Sequence, residues 1–246
     1  MRMTGWAGLV GLWAAATLIG CAGSGQFLST DFEVDVGRKV SDDVENEYAL
    51  LNDAVALARV RRVGQDLVDV QERHDITYDF QIIDDPMINA FAVPGGWVYV
   101  TKGLLDELGS GDDELAGVMG HEVRHITARH AMDRLATALA VQTGIDIVAP
   151  DSQDIDAAAG ILFTLVTSQY SQGDEFAADA GGLEYAVTAG YDGNGLIEFL
   201  RRLLAIEQEG GQQSDAIGDL FSSHPPTSER IQRLEQQLAL MEDTSQ

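Results

Sequence analysis

Cysteine and lysine are nearly missing from this chain of 246 residues. The single cysteine, Cys21, excludes an internal disulfide. Lys39 and Lys102 are the only lysines, and 15 basic residues face 40 acidic ones for a net charge of -25. So acidic a surface repels polyanions, which excludes nucleic acid as a partner and argues against a polybasic contact with anionic lipid. Long apolar runs are missing too. The Ala-rich stretch 136–169 is broken at Gly144 and at Pro150-Asp151-Ser152, and falls short of the roughly 18 uninterrupted apolar residues of a transmembrane helix. Histidine occurs five times, so a histidine pair at a chemically useful spacing is unlikely to be chance.

What is present begins with Arg2 and an apolar run from about Gly5 to Ile19. That run is short for a membrane span and reads as a secretory signal. It closes on Leu18-Ile19-Gly20-Cys21, which resembles the lipobox of bacterial lipoproteins. The resemblance implies cleavage before Cys21, with lipid on its sulfur and new amino group. Several acyl chains on one residue hold a protein stably on a bilayer. Ala22, where an aspartate would retain the protein elsewhere, implies sorting to the outer membrane. The expectation is a signal peptide over 1–20, a lipidated tether over 21–34, and one domain over 35–246 on the periplasmic face.

The chemistry centres on Gly120-His121-Glu122-Val123-Arg124-His125. Histidines four apart share one helix face, so both imidazoles reach one metal ion. Glu122 sits beside the first ligand but off the ligand line, where its carboxylate can take a proton from water. This is the His-Glu-x-x-His signature of zinc metalloproteases. Zinc takes about three protein ligands and keeps one position open. A metzincin would carry glycine at 128 and histidine at 131; Ala128 and Ala131 disfavour that class.

Periodicity places the other elements. Val40, Val44, Tyr48 and Leu51 predict a helix over 36–52, and a second runs over 53–73 with His74 as its C-terminal cap. Strands are expected at 78–83, 89–93 and 97–101, with turns at Asp84-Asp85-Pro86 and Pro94-Gly95-Gly96. Asn89, Ala90 and Phe91 are candidates for a free edge that pairs with an extended substrate; an ordinary hairpin fits the sequence equally. A short helix over 103–108 precedes the histidine helix over 112–135. On that continuous helix His130 lies well round from His125 and reads as structural. Two helices fill 136–169, another covers 191–208, a loop follows at 210–214, and the last helix starts at Thr227 or Ser228 and runs to about Met241.

Two histidines do not complete a zinc site. In Tyr170-Ser171-Gln172-Gly173-Asp174-Glu175-Phe176-Ala177-Ala178-Asp179, Glu175 and Asp179 are again four apart. Glu175 can supply the third, oxygen ligand, and Asp179 can accept a hydrogen bond from the far nitrogen of a ligand histidine. A solvated acidic face is the alternative, but the alanines and glycines around them point to close helix packing.

Gly120-His121-Glu122-x-x-His125 followed by Glu175-x-x-x-Asp179 resembles metallopeptidase family 48, which includes the CAAX prenyl proteases and the HtpX-like proteases. Asn89-Ala90-Phe91, Pro94-Gly95-Gly96, and Ser223-His224-Pro225 with Arg230 support the resemblance, which covers roughly residues 35–240. It implies a mainly helical α+β fold, a zincin-like core with a small three-stranded sheet beside the His-Glu-x-x-His helix. It implies one Zn2+ on His121, His125 and Glu175, with Glu122 as general base. His224 would be an oxyanion donor or a resting-state blocker of the zinc, and Arg230 would orient it or the nearby carboxylates. The membrane-embedded members carry transmembrane helices, so this chain looks most like the short periplasmic lipoproteins. The expected activity is endoproteolysis of misfolded or unassembled envelope proteins. Two rivals stand beside it: a non-proteolytic chaperone or assembly lipoprotein using the same groove, and a zinc hydrolase of peptidoglycan cross-links.

Overall fold

The computed structural model describes residues 28–143, 155–208 and 223–244, with side chains at 142 and 143 excluded. Helix α1 (Thr30–Glu47) starts where the Ser29 hydroxyl accepts the Phe32 N–H, and buries Val36, Val40 and Val44 as one stripe. It begins at Thr30 rather than 36, because the acidic residues Asp31 and Glu33 suit a helix N-terminus and Phe32 already faces the core. Leu28, Phe32 and Glu33, expected in a polar tether, are therefore buried parts of the folded body.

Helix α2 (Ala54–Val68) is capped by Asp53, which accepts from the N–H groups of Val55 and Ala56. It stops at Val68 instead of Arg73. The buried Gln71 amide folds back onto the Arg73 backbone and makes a turn, so His74 is not a helix cap.

The sheet holds β1 (Asp79–Ile83), β2 (Ala90–Val93) and β3 (Trp97–Thr101) in the order β1-β3-β2. β1 runs parallel to β3, with Phe80 opposite Val98; β2 runs antiparallel, with Phe91 opposite Tyr99. Residues Ala49 to Leu51 cover the outer side of β1. Among the described residues no strand covers β2, so it is an edge. Thr101 N–H donates to the Asn89 carbonyl, which turns the backbone groups of Asn89 and Phe91 inward; alternation then leaves those of Ala90 and Ala92 outward.

Helix α3 (Lys102–Leu108) leads to α4 (Asp112–Thr127), whose first turn carries Asp112, Asp113 and Glu114. α4 is buried on all sides by α2, β2 and the later helices α7 (Gln172–Thr188) and α8 (Asn194–Gln208). The continuous helix expected over 112–135 is broken. Arg129 adopts φ 59° and starts α5 (His130–Thr143) in a new direction. Its guanidinium donates to the Leu28 carbonyl and pairs with Glu33, which holds the break in place. α6 (Ile155–Val166) follows, and the loop expected between α5 and α6 lies outside the described residues, as does 210–214. α9 (Ser228–Thr244) ends the description.

One apolar cluster joins α2, α4, α8, α9 and one face of the sheet; a second joins α1, α5, α6 and the other face. No described helix is long and apolar enough to cross a membrane.

Candidate metal centre

α4 and α7 cross so closely that glycine is required on both. A Cβ on Gly120 would lie 2.7 Å from the Gly182 carbonyl oxygen, and one on Gly182 would lie 2.5 Å from the His121 nitrogen. This contact of bare backbones brings the Glu175 and Asp179 face of α7 against the histidines of α4. Ser171 and Asp174 form a capping box that sets where α7 begins.

Four side chains converge: His121, His125, Glu175 and His224, each buried, offer ligand atoms all within 4.8 Å of one another. Nε2 of His121 lies 3.0 Å from Nε2 of His125 and 3.6 Å from Oε2 of Glu175; Nε2 of His125 lies 3.4 Å from Oε1 of Glu175. Ligands on a tetrahedral centre with ~2.0–2.1 Å bonds are about 3.3 Å apart, so the spacing suits one small cation. Oε2 of Glu175 is buried and accepts no well-directed hydrogen bond, although Arg230 Nη1 is 2.9 Å away as an ion pair. Nδ1–H of His121 donates to Asp179 at 2.9 Å, so the lone pair on its Nε2 faces the centre. Two inward nitrogen lone pairs and an orphaned carboxylate oxygen in a dry site fit a metal.

The electrostatics agree. Burial holds the His125 pKa well below the usual histidine value, which keeps the ring neutral. Burial opposes ionisation of Glu175, but the neighbouring imidazoles of His224, His121 and His125 outweigh it, holding the carboxyl far below its usual range. Asp179 is likewise lowered: burial resists, and Arg230 overrides it through two 2.7 Å hydrogen bonds. Glu122 moves the other way, because burial pushes its pKa up more than His224 and His121 lower it. Its Oε1 is 3.7 Å from His224 Nε2.

Arg230 also donates to the His224 and Pro225 carbonyls, which ties the start of α9 to the carboxylates of α7. Together with the buried convergence above, this arrangement could hold a metal ion, and a family model described as Peptidase family M48 matches residues 56–238. The chain belongs to peptidase family M48. Within that family it is 31% identical over 216 residues to the mitochondrial metalloendopeptidase OMA1 of Schizosaccharomyces pombe, covering 86% of this chain and 62% of that protein. It is 26% identical over 224 residues to the beta-barrel assembly-enhancing protease of Escherichia coli, covering 85% and 44%. It is 28% identical over 161 residues to the metalloprotease YcaL of Escherichia coli, covering 62% and 59%. The chain therefore spans less than two thirds of the length of each of these M48 relatives.

Every polar residue expected at the centre is there: His121, Glu122, His125, Glu175, Asp179, His224 and Arg230 are all buried. Asn89 and Phe91 line a neighbouring groove of about 280 Å3 that reaches Ser223, while Ala92 of the same strand lines a small cavity with His125. Cys21 lies outside the described residues. Sequence reasoning missed Tyr170, whose ring lies 4.0 Å from that of His125 and stacks on His224 at 5.5 Å, with the Arg134 guanidinium 4.8 Å from its ring centre. Its place just ahead of the capping box was the available signal. Sequence reasoning also missed the contact of His130 with His125, Nδ1 to Nδ1 at 2.9 Å.

Proposed function

We propose that this chain is a zinc endopeptidase, tethered through lipidated Cys21 to the periplasmic face of the bacterial outer membrane, and acting on unfolded or unassembled envelope proteins. The observation that carries the chemistry is the buried convergence of His121, His125 and Glu175 with Glu122 beside them. Two imidazoles and one carboxylate are a zinc donor set, so these three hold one Zn2+. Bound zinc supplies a Lewis acid that polarises the scissile carbonyl and makes water more acidic.

The protein's own groups do the rest. Glu122 takes a proton from the attacking water and passes it to the leaving amine nitrogen as the peptide bond breaks; its upward-shifted pKa suits both halves of that task. Asp179 fixes the tautomer of His121, and Arg230 neutralises Asp179 and flanks Glu175. Along β2 the outward N–H and C=O groups of Ala90 and Ala92 would pair with an extended substrate, with Asn89 and Phe91 shaping the groove beside it. Of the two roles open to His224, the geometry favours the blocking one: Nδ1 is 2.8 Å from Glu175 Oε1 and 3.3 Å from His121 Nε2, among the ligand atoms. The names of relatives, a metalloendopeptidase and a beta-barrel assembly-enhancing protease, support proteolysis and envelope substrates. The same blocked geometry favours a second reading, an assembly lipoprotein whose groove binds without cutting.

Casein digestion decides between them, with wild type, Glu122→Gln and His224→Ala compared at measured zinc content. Loss of the general base is expected to slow cleavage by about 10²–10⁴-fold with zinc retained. His224→Ala is expected to cut faster; with ~90% of molecules blocked the gain would be about tenfold. Zinc bound but no cleavage by any form would put the assembly reading ahead. Palmitate labelling lost in Cys21→Ser would support the anchor.

A further inference from the structure

His125 needs a partner of its own. To turn the Nε2 lone pair on a metal, a neutral imidazole must carry its proton on Nδ1, and some acceptor must receive that proton. For His121 the acceptor is the carboxylate of Asp179. Among the described residues no carboxylate meets Nδ1 of His125; the atom in contact is Nδ1 of His130, 2.9 Å away and buried. Two ring nitrogens at that distance attract only if one holds a proton and the other does not. We propose that His130 is a positioning residue for the metal: its Nδ1 accepts the Nδ1–H of His125 and so directs Nε2 of His125 at the centre. This rests on the metal reading given above.

The tautomer of His130 then follows. With Nδ1 an acceptor, its own proton sits on Nε2, the nitrogen that faces Asp174 Oδ1 at 3.9 Å. That distance is too long for a direct hydrogen bond, and leaves the carboxylate as an electrostatic neighbour of the Nε2–H. Asp174 is the capping-box residue of α7 and the neighbour of Glu175, so the same turn that presents one ligand also orients the support of another. The arrangement depends on the break at Arg129. Five residues along an unbroken helix is about 140° of rotation, which would carry His130 away from His125. The left-handed turn at Arg129, held by Glu33 and the Leu28 carbonyl, brings it back. Tyr170 packs against the His125 ring, with centroids 4.0 Å apart, and limits its tilt.

Zinc affinity of the purified full chain would be measured by competition with a chromophoric chelator, alongside the unfolding midpoint of each metal-free protein. His130→Leu keeps bulk and removes the acceptor, and is expected to bind zinc about 10–100-fold more weakly at an unchanged metal-free midpoint. His130→Asn keeps an acceptor oxygen near the position of Nδ1 and is expected to bind close to wild type. Equal affinity of wild type and His130→Leu, or equal losses in both variants, would overturn the proposal. If His130→Leu does not fold, nitrogen NMR of the zinc-loaded wild type decides: a proton on Nε2 of His130 supports the assignment and one on Nδ1 overturns it. A wild type that binds no zinc would overturn the metal reading itself, and this inference with it; tight binding by wild type with no effect of His130→Leu removes this inference alone.

Discussion

Two buried arginine–carboxylate clusters flank His125, and they are built to opposite ends. In the first, Glu33 is fully buried and both its oxygens are engaged: Arg73 donates to each at 2.8 Å, the Gly95 N–H donates to one, and Arg129 pairs with the other. Arg73 also donates to the Ile126 carbonyl near the end of α4. The cluster stitches α1, the β2–β3 turn and the α4–α5 break together, with nothing left on Glu33 for a ligand. In the second, Arg230 saturates Asp179, but Glu175 keeps an oxygen without a directed hydrogen bond beside two inward imidazole nitrogens. Buried polar groups are normally satisfied, so an unsatisfied carboxylate oxygen beside converging imidazole nitrogens marks a site completed by something else. The same residue types make a scaffold in one cluster and a binding centre in the other, and what separates them is whether the buried glutamate has both oxygens engaged.

The comparison predicts different responses. Arg73→Leu would leave buried Glu33 with only Arg129 and the Gly95 N–H, and removing one partner of a buried pair costs at most about 3–5 kcal/mol. Urea unfolding should show that loss equally with and without zinc; a zinc-dependent loss would break the distinction. Next in size, stripping zinc from wild type should lower stability by about 2.7 kcal/mol relative to free zinc at a hundred times its dissociation constant. Glu175→Gln should lose most of that response. Asp179→Asn keeps the shape but removes the anionic acceptor for His121, and should weaken zinc about 10–100-fold in a chelator competition.

The smallest effect belongs to Asp75, at the exposed rim of the first cluster. Burial opposes its ionisation, but hydrogen bonds from Thr30 and Arg73 outweigh that and hold its pKa below the usual carboxylate range. A folded pKa below the unfolded value of about 3.9 stabilises fully above that pH and fades as pH falls through the folded value. The stability gap between wild type and Asp75→Asn should therefore be open near neutral pH and close in acid below about 3.9. A gap that widened in acid would reverse the sign.

Much of the centre was legible before any fold was known. His121, Glu122 and His125, and then Glu175 and Asp179, lie within single helical turns, so their spacing alone says which side chains share a face. His224 and Arg230 were readable as candidates through the family resemblance, although the meetings of His224 with Glu175 and of Arg230 with Asp179 span some fifty residues of chain. The break at Arg129 was not legible. Ala128 and Arg129 are good helix formers, so no local signal ends α4 there; the turn is imposed by Glu33 and Leu28, far away in sequence. The place of His130 was misread for the same reason. The tether was drawn too long because residues 22–34 are polar and small in composition, while tertiary pairing buries Glu33 among arginines.

The sequence by itself determined the family, the two histidines with their glutamate, the carboxylate pair on a second helix, and three strands in the right places. Each is a periodic pattern or a fixed spacing, and such patterns are properties of a local stretch of chain. Only the tertiary structure decided that β1 pairs in parallel with β3 and leaves β2 as the edge, that glycines let α4 and α7 touch, and that His130 backs His125. These depend on which distant groups can neutralise or saturate one another in a dry interior, where an unpaired charge costs far more than a strained turn.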